Sequence, residues 1–284
     1  MSDNRDGNAV FTAQQAEMKG FTTRNVMKDD FGMEVPVESV PLPSRGLIYP
    51  VDSSSHNRET IEIKAMTARE EDILTSRALI KKGTVITQLI KSCIVDKSIN
   101  VEALISGDRN ALMTAIRITG YGADYKVSVD CPECGENVEH EFDLSNMPIK
   151  GLKISPTAPG ENSFEFDLPI SKKKVIFRFL TGKDERLMSI EAERRKKKKL
   201  GGDVDNFVTS RLLNSIVSVD GIEDKNKIAT FVKNMPARDS RMLRKFIDDN
   251  EPGIDMKGWL SCPACYEESE VSLPIGANFF WPDA

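Results

Sequence analysis

Apolar and polar positions alternate over TIEIKAM (Thr60–Met66), the period of a half-buried strand. The next residues, TARE, place Thr67 three positions before Glu70, the spacing of a capping box. Apolar residues then recur at helical intervals to about Lys82, where Gly83 is suited to end the helix. TVITQLIKSCIV predicts a second helical stretch. SGDRNALMTAIRITGYG predicts a third, capped by Ser106 or Asp108 and ended near Gly120, with Leu112, Ile116 and Thr119 on one face. YKVSVD alternates again and runs into CPEC, Cys131–Cys134.

The same order then returns. VIFRFL (Val175–Leu180) reads as a strand, and TGKD sets Thr181 three residues before Asp184. A helix follows through ERLMSIEAERRKKKKL to Gly201 and Gly202. NFVTSRLLNSIVSV and DKNKIATFVKNM predict two helices with apolar faces, and ARDSRMLRKFID a last one with Leu243 and Ile247 on one side. MKGWLS leads into CPAC, Cys262–Cys265. Asp108 lies 23 residues before Cys131, and Asp239 lies 23 residues before Cys262. The opening threonine precedes its knuckle by 64 residues in the first copy and 81 in the second, the excess falling around the lysine-rich helix. A short alternating strand leaves each knuckle: ENVEHEFDL, with Val138, His140 and Phe142 on one face, and ESEVSLPI. The pattern predicts an α+β fold of two degenerate strand–helices–strand repeats, joined at a zinc-ribbon-like site.

The segments divide accordingly. Residues 1–34 are polar and aperiodic and are expected to form a flexible arm, with Phe11, Phe21, Phe31 and Met33 as apolar points. Residues 35–59 carry too many prolines for a helix and predict an extended strap. Leu42, Leu47, Ile48 and Tyr49 would anchor it on the folded body or on a neighbouring subunit, and His56 is expected in solvent. The first repeat covers 60–147, a Pro- and Gly-rich linker 148–173, the second repeat 174–276 and an aromatic tail 277–284. Phe279, Phe280 and Trp281 are consecutive and cannot all face one local core from one strand. The tail is expected either to tuck over its own domain or to anchor a neighbour, where aromatics are enriched. In the second case the partner-binding residues are Leu42, Tyr49, Phe279, Phe280 and Trp281, and loss of residues 279–284 weakens assembly without unfolding the core.

Composition narrows the function. The chain has 284 residues, 39% hydrophobic and 29% charged, as in an ordinary globular protein. A net charge of −5 disfavours nucleic acid as the partner of the whole chain. No apolar run is long enough to cross a bilayer, and MSDNRDGNAVFTAQQ lacks the apolar core of a signal peptide. The expected setting is the cytoplasm, where thiols stay reduced and paired C-x-x-C motifs favour metal over disulfides.

Four of the five cysteines sit in the two knuckles. Each C-x-x-C supplies two sulfurs from one tight turn, so Cys131, Cys134, Cys262 and Cys265 together make a tetrahedral thiolate set for a structural zinc. Reversible disulfides are the competing use of that spacing, though the thioredoxin-like setting they need is not seen. His140 is an alternative fourth ligand, and Cys93 on an apolar helix reads as a small buried residue. Four thiolates leave no position for a catalytic water. Neither histidine pairs with a nucleophile in a recognisable motif, and no phosphate-cradling glycine loop is present. The expectation is a non-enzymatic protein. The one strong basic run, Arg194, Arg195, Lys196, Lys197, Lys198 and Lys199, is either a contact for an acidic partner or a solvated helix end.

LPSRGLIYP, MTAREEDIL, GDRNALMTAIRITGYGADY, CPECGE and NFFWP resemble the baseplate hub proteins of T-even-type contractile-tailed bacteriophages. The resemblance covers roughly residues 40–282 and is clearest in 60–145 and at the C-terminus. It implies a structural subunit or assembly factor of the tail baseplate hub, without catalytic residues. Its partners would be other baseplate or hub proteins, met in the host-cell cytoplasm during assembly and in the virion tail baseplate, with no membrane involved. The arm lies outside the resemblance, and the second knuckle and lysine-rich helix go beyond what it requires. The competing reading is a zinc-ribbon nucleic-acid-binding adaptor using Lys196–Lys199, whose binding would weaken steeply with salt.

Overall fold

A computed structural model describes residues 26–28, 32, 34–198, 207–275 and 277–280. Phe11, Phe21, Phe31, Met33, Lys199 and Trp281 lie outside the described residues. In the first half, β1 (Val26–Lys28), β2 (Glu34–Pro41) and β3 (Thr60–Lys64) form an antiparallel sheet. The start of the strap, up to Pro41, is therefore a sheet strand of the chain's own body. Helices α1 (Ala68–Thr75), α2 (Arg77–Lys82), α3 (Val85–Cys93) and α4 (Ser106–Tyr121) follow. The single helix expected up to Lys82 breaks at Ser76, whose extended backbone closes α1 and opens α2, a role serine tolerates well.

The expected Thr67–Glu70 box is present. Glu70 accepts from the Thr67 N–H at 3.0 Å and the Thr67 hydroxyl at 2.6 Å. Burial alone would raise the Glu70 carboxyl, but donors from Ser92, Thr67 and Lys64 outweigh it and hold the group at about 2. Asp108, by contrast, does not cap its own helix. It sits buried in the first turn of α4 and accepts from the Ser44 N–H (2.9 Å), the Ser44 hydroxyl (2.5 Å) and the Tyr49 hydroxyl (2.6 Å). The turn between β2 and β3 is thereby pinned to a helix N-terminus, where a carboxylate is favoured. Leu42 and Tyr49, expected as anchors on the folded body or on a neighbour, are buried in the chain's own core. His56 is half-buried, not free in solvent, with Nδ1 donating to the Tyr49 carbonyl at 2.6 Å.

The second half also combines a three-stranded sheet with helices, though its third strand comes between two of them. β7 (Phe164–Asp167), β8 (Lys174–Phe177) and β9 (Ile216–Val219) form an antiparallel sheet, with α5 (Gly182–Lys198), α6 (Phe207–Ser215), α7 (Lys225–Asn234) and α8 (Ala237–Asn250). Asp239 accepts from the N–H groups of Ile170 (2.7 Å) and Ser171 (2.9 Å), pinning the β7–β8 turn as Asp108 pins its counterpart. Asp184 accepts from the Thr181 N–H (2.9 Å) and hydroxyl (2.6 Å) and pairs both ways with Arg178. The stretch IVSV, expected as helix, is β9; its β-branched residues suit a strand edge-on to β8.

Two hairpins close the halves: β4 (Asp124–Asp130) with β5 (Asn137–Asp143), and β11 (Lys257–Ser261) with β12 (Glu268–Ser272). Their apolar faces meet, and a Cβ on Gly258 would stand 2.5 Å from Phe142 Cδ1, so only glycine permits this approach. The chain then crosses between halves. β6 (Ile149–Lys150), after the first hairpin, pairs with β10 (Gly253–Ile254), just before the second. Reciprocally, the 3-10 turn Ala277–Phe280 lies against the segment before the first hairpin. Arg117, fully buried, donates there to the carbonyls of Phe279 (2.8 Å), Gly122 (2.6 Å) and Asp124 (2.8 Å). Phe279 and Phe280 are buried, with Phe279 edge-on to Tyr125. These two tail aromatics thus belong to the one hydrophobic core that both halves share.

The tail is consequently not expected to be separable. Removing residues 279–284 takes away two buried rings and leaves the buried Arg117 Nε without its Phe279 carbonyl, a loss of about 3–5 kcal/mol. Denaturant midpoints measure it, and a truncated chain as stable as the parent would refute it.

A second expectation concerns Glu251, beside Arg211, which also bonds Asp248 at 2.8 Å. Burial, aided by Asp248 and Glu185 and opposed by Arg211, pushes the Glu251 carboxyl up to about 7. The folded state then holds a proton the unfolded state releases, so this group's contribution falls as pH rises from about 4.5 to 7. Glu251→Gln should stabilise the protein at pH 8 by about 1–2 kcal/mol and have little effect near pH 4. Thermal melts at the two pH values decide it.

Candidate metal centre

Both hairpins bend in the same way. In the first, the Cys131 N–H donates to the Glu136 carbonyl at 2.8 Å, and the Gly135 N–H to the Cys131 carbonyl at 2.9 Å. In the second, Cys262 N–H bonds the Glu267 carbonyl at 3.1 Å, and Tyr266 N–H the Cys262 carbonyl at 2.9 Å. The turn needs a left-handed residue, supplied by Gly135 at φ 76° and by Tyr266 at φ 61°. Each bend aims two sulfurs off one hairpin tip, and the packing of the hairpin faces brings the tips together.

The four Sγ atoms of Cys131, Cys134, Cys262 and Cys265 all lie within 4.8 Å of one another. Cys131 faces Cys265 at 3.8 Å, and Cys134 faces Cys262 at 3.7 Å. Sulfurs about 2.3 Å from a central ion stand about 3.8 Å apart at tetrahedral corners. A disulfide needs about 2.05 Å, and all five thiols are free. The donor set and spacing therefore fit a tetrahedral metal ion and not a pair of disulfides. The contacts are also crossed: the first cysteine of each knuckle faces the second of the other. Exchanging the hairpins maps this pattern onto itself.

Cys131 and Cys262 are buried, Cys265 is half-buried and Cys134 exposed, so one side of the cluster opens to solvent. The Cys262 thiol is pulled down to about 7, first by the Cys265 N–H and then, against burial, by the Ala264 N–H. At Cys265 the Glu267 N–H favours the thiolate, yet burial and the neighbouring sulfurs push the group up to about 12. Four thiols this close resist joint ionisation; a divalent cation removes the conflict.

His140 is not part of the cluster; it packs edge-on to Phe142 with ring centroids 4.7 Å apart. Cys93 is fully buried on α3, and burial with the Glu70 charge pushes its thiol up to about 12. Of the other sites expected from sequence, Leu42, Tyr49, Phe279 and Phe280 line the core. Arg194 is exposed on α5, whose backbone continues to Lys198. Arg117 had no sequence signal, whereas the matched spacing of Asp108 and Asp239 from the knuckles did mark two buried carboxylates that each accept from an inter-strand turn. No helix among the described residues is long and apolar enough to cross a membrane.

A family model described as T4 bacteriophage base plate protein matches residues 48–281. No curated protein and no solved structure matches the chain.

The cysteine geometry predicts one divalent ion per chain. Cobalt(II) reconstitution should give the absorption of a tetrahedral tetrathiolate, lost in Cys131→Ser and in Cys262→Ser alike. Chelation should lower the thermal midpoint. A chain that binds no metal, or whose stability is unchanged with all four cysteines replaced, would remove the site.

Proposed function

Because the chain belongs to the T4 bacteriophage base plate protein family, we propose that it is a structural or assembly protein of the baseplate hub, acting through contacts with other baseplate or hub proteins. The observation that carries this is the family match over residues 48–281, most of the chain. We assign the metal as zinc, since a closed set of four thiolates is a structural zinc environment. Such an ion supplies no catalytic water; it ties the two hairpin tips and so fixes the angle between the halves. This is the behaviour wanted of a rigid assembly part rather than an enzyme.

Internal duplication accounts for the architecture. It is supported by the paired roles of Asp108 and Asp239, of Thr67–Glu70 and Thr181–Asp184, and of the two knuckle turns. In this reading the protein assembles in the host-cell cytoplasm and belongs to the tail of the virion. The basic run Arg194–Lys199 remains the contact for an acidic partner. Trp281 is the tail aromatic the proposal keeps for a neighbour, because Phe279 and Phe280 are used internally.

Particles from infections lacking this chain should have missing or incomplete baseplates by electron microscopy. Restoring the wild-type chain should rescue them, and the four-cysteine variant should rescue poorly. Normal baseplates without the chain would overturn the assignment.

A further inference from the structure

The two hairpins share a backbone but not a surface. Counted from each knuckle, Trp259 stands where the first hairpin has Ser128, and Tyr266 where it has Gly135. Trp259 is 68% exposed and Tyr266 86%. Residues on β11 and β12 alternate buried and exposed, so Gly258, Leu260, Ser269 and Val271 turn inward, while Trp259, Glu268 and Glu270 form an outer face open to solvent. An indole on an uncovered sheet face is the kind of residue that dominates protein interfaces.

We propose that this outer face is a docking site for a second copy of this chain, occupied by the basic run Arg194–Lys199 that begins on α5. The charges are complementary. Glu270 is neutralised by Lys257 at 3.0 Å, but Glu267 and Glu268 have no side-chain partner among the described residues. A metal-loaded centre adds two negative charges, four thiolates against one divalent ion. Cations are drawn to such a surface, and the Trp259 and Tyr266 rings can receive them over their faces. The chain itself carries a run of six consecutive cations. Beyond Gly182 no described side chain of α5 is buried, and Arg194 is exposed. Face and segment differ, so the contact is heterologous and joins copies head to tail. The proposal rests on the protein–protein role given above and names one partner for it.

The test uses the full, metal-loaded chain. Sedimentation across protein concentrations should show self-association at low salt that is lost at high salt. Trp259→Ala should weaken it by about tenfold or more. Lys196→Glu, Lys197→Glu, Lys198→Glu and Lys199→Glu combined should abolish it, as should Glu267→Lys with Glu268→Lys. Mixing these last two variants should restore association, since each now complements the other. Metal content and thermal midpoint must match the parent in every variant. A folded, metal-loaded parent that stays monomeric throughout, association indifferent to Trp259→Ala, or charge-swapped variants that fail to recombine would each overturn the docking site. If that monomeric parent still restores baseplates, the structural role stands without this contact; if it does not, the role falls separately.

Discussion

The close approach of the two hairpins governs the rest of the molecule. Gly258 lets β11 lie directly against the Phe142 ring, and no side chain could stand there without moving it. With the inner faces in contact, the two tips converge and four sulfurs gather within 4.8 Å of one another. Hydrophobic burial holds the hairpins together, and an ion at their tips would then lock their relative angle.

The exchange of segments between halves makes that angle a property of the whole chain. β6 leaves the first hairpin and pairs with β10 of the second half. The terminal turn leaves the second hairpin and is held to the first half by Arg117. Neither half retains its own closing segment, so neither has a complete core alone. A guanidinium buried among three carbonyls is costly to leave unpaired, which makes the terminal turn integral to the fold. Such a body resists flexing between halves, a property suited to a part that positions its neighbours.

The halves nevertheless differ where they meet solvent. The second has the longer helix, on which the basic run begins, and its hairpin carries Trp259 and Tyr266 where the first has Ser128 and Gly135. Interior roles are kept in parallel, as Asp108 and Asp239 show, because packing constrains them equally. Exposed positions carry no such constraint, and there the two halves have different residues.

Much of this was legible in the amino-acid order alone. The Thr67 and Thr181 boxes, the hairpin strands and the two knuckles depend on neighbours within a few residues, and local spacing reveals them. The α+β class and the four metal-ligand candidates follow from those signals. Tertiary structure decided what depends on distant partners. Asp108 sits at a helix start, where capping is the local expectation, yet its donors come from 64 residues away at Ser44. Arg117 is satisfied by a carbonyl 162 residues distant at Phe279. Leu42, Tyr49, Phe279 and Phe280 read as apolar points on extended segments, and apolarity does not say which surface will cover them. The fold covers all four within the chain's own core: Tyr49 meets Asp108 of its own half, and Phe279 meets Arg117 and Tyr125 of the other. Local periodicity reports which face of an element is apolar; only the packed chain determines what that face meets.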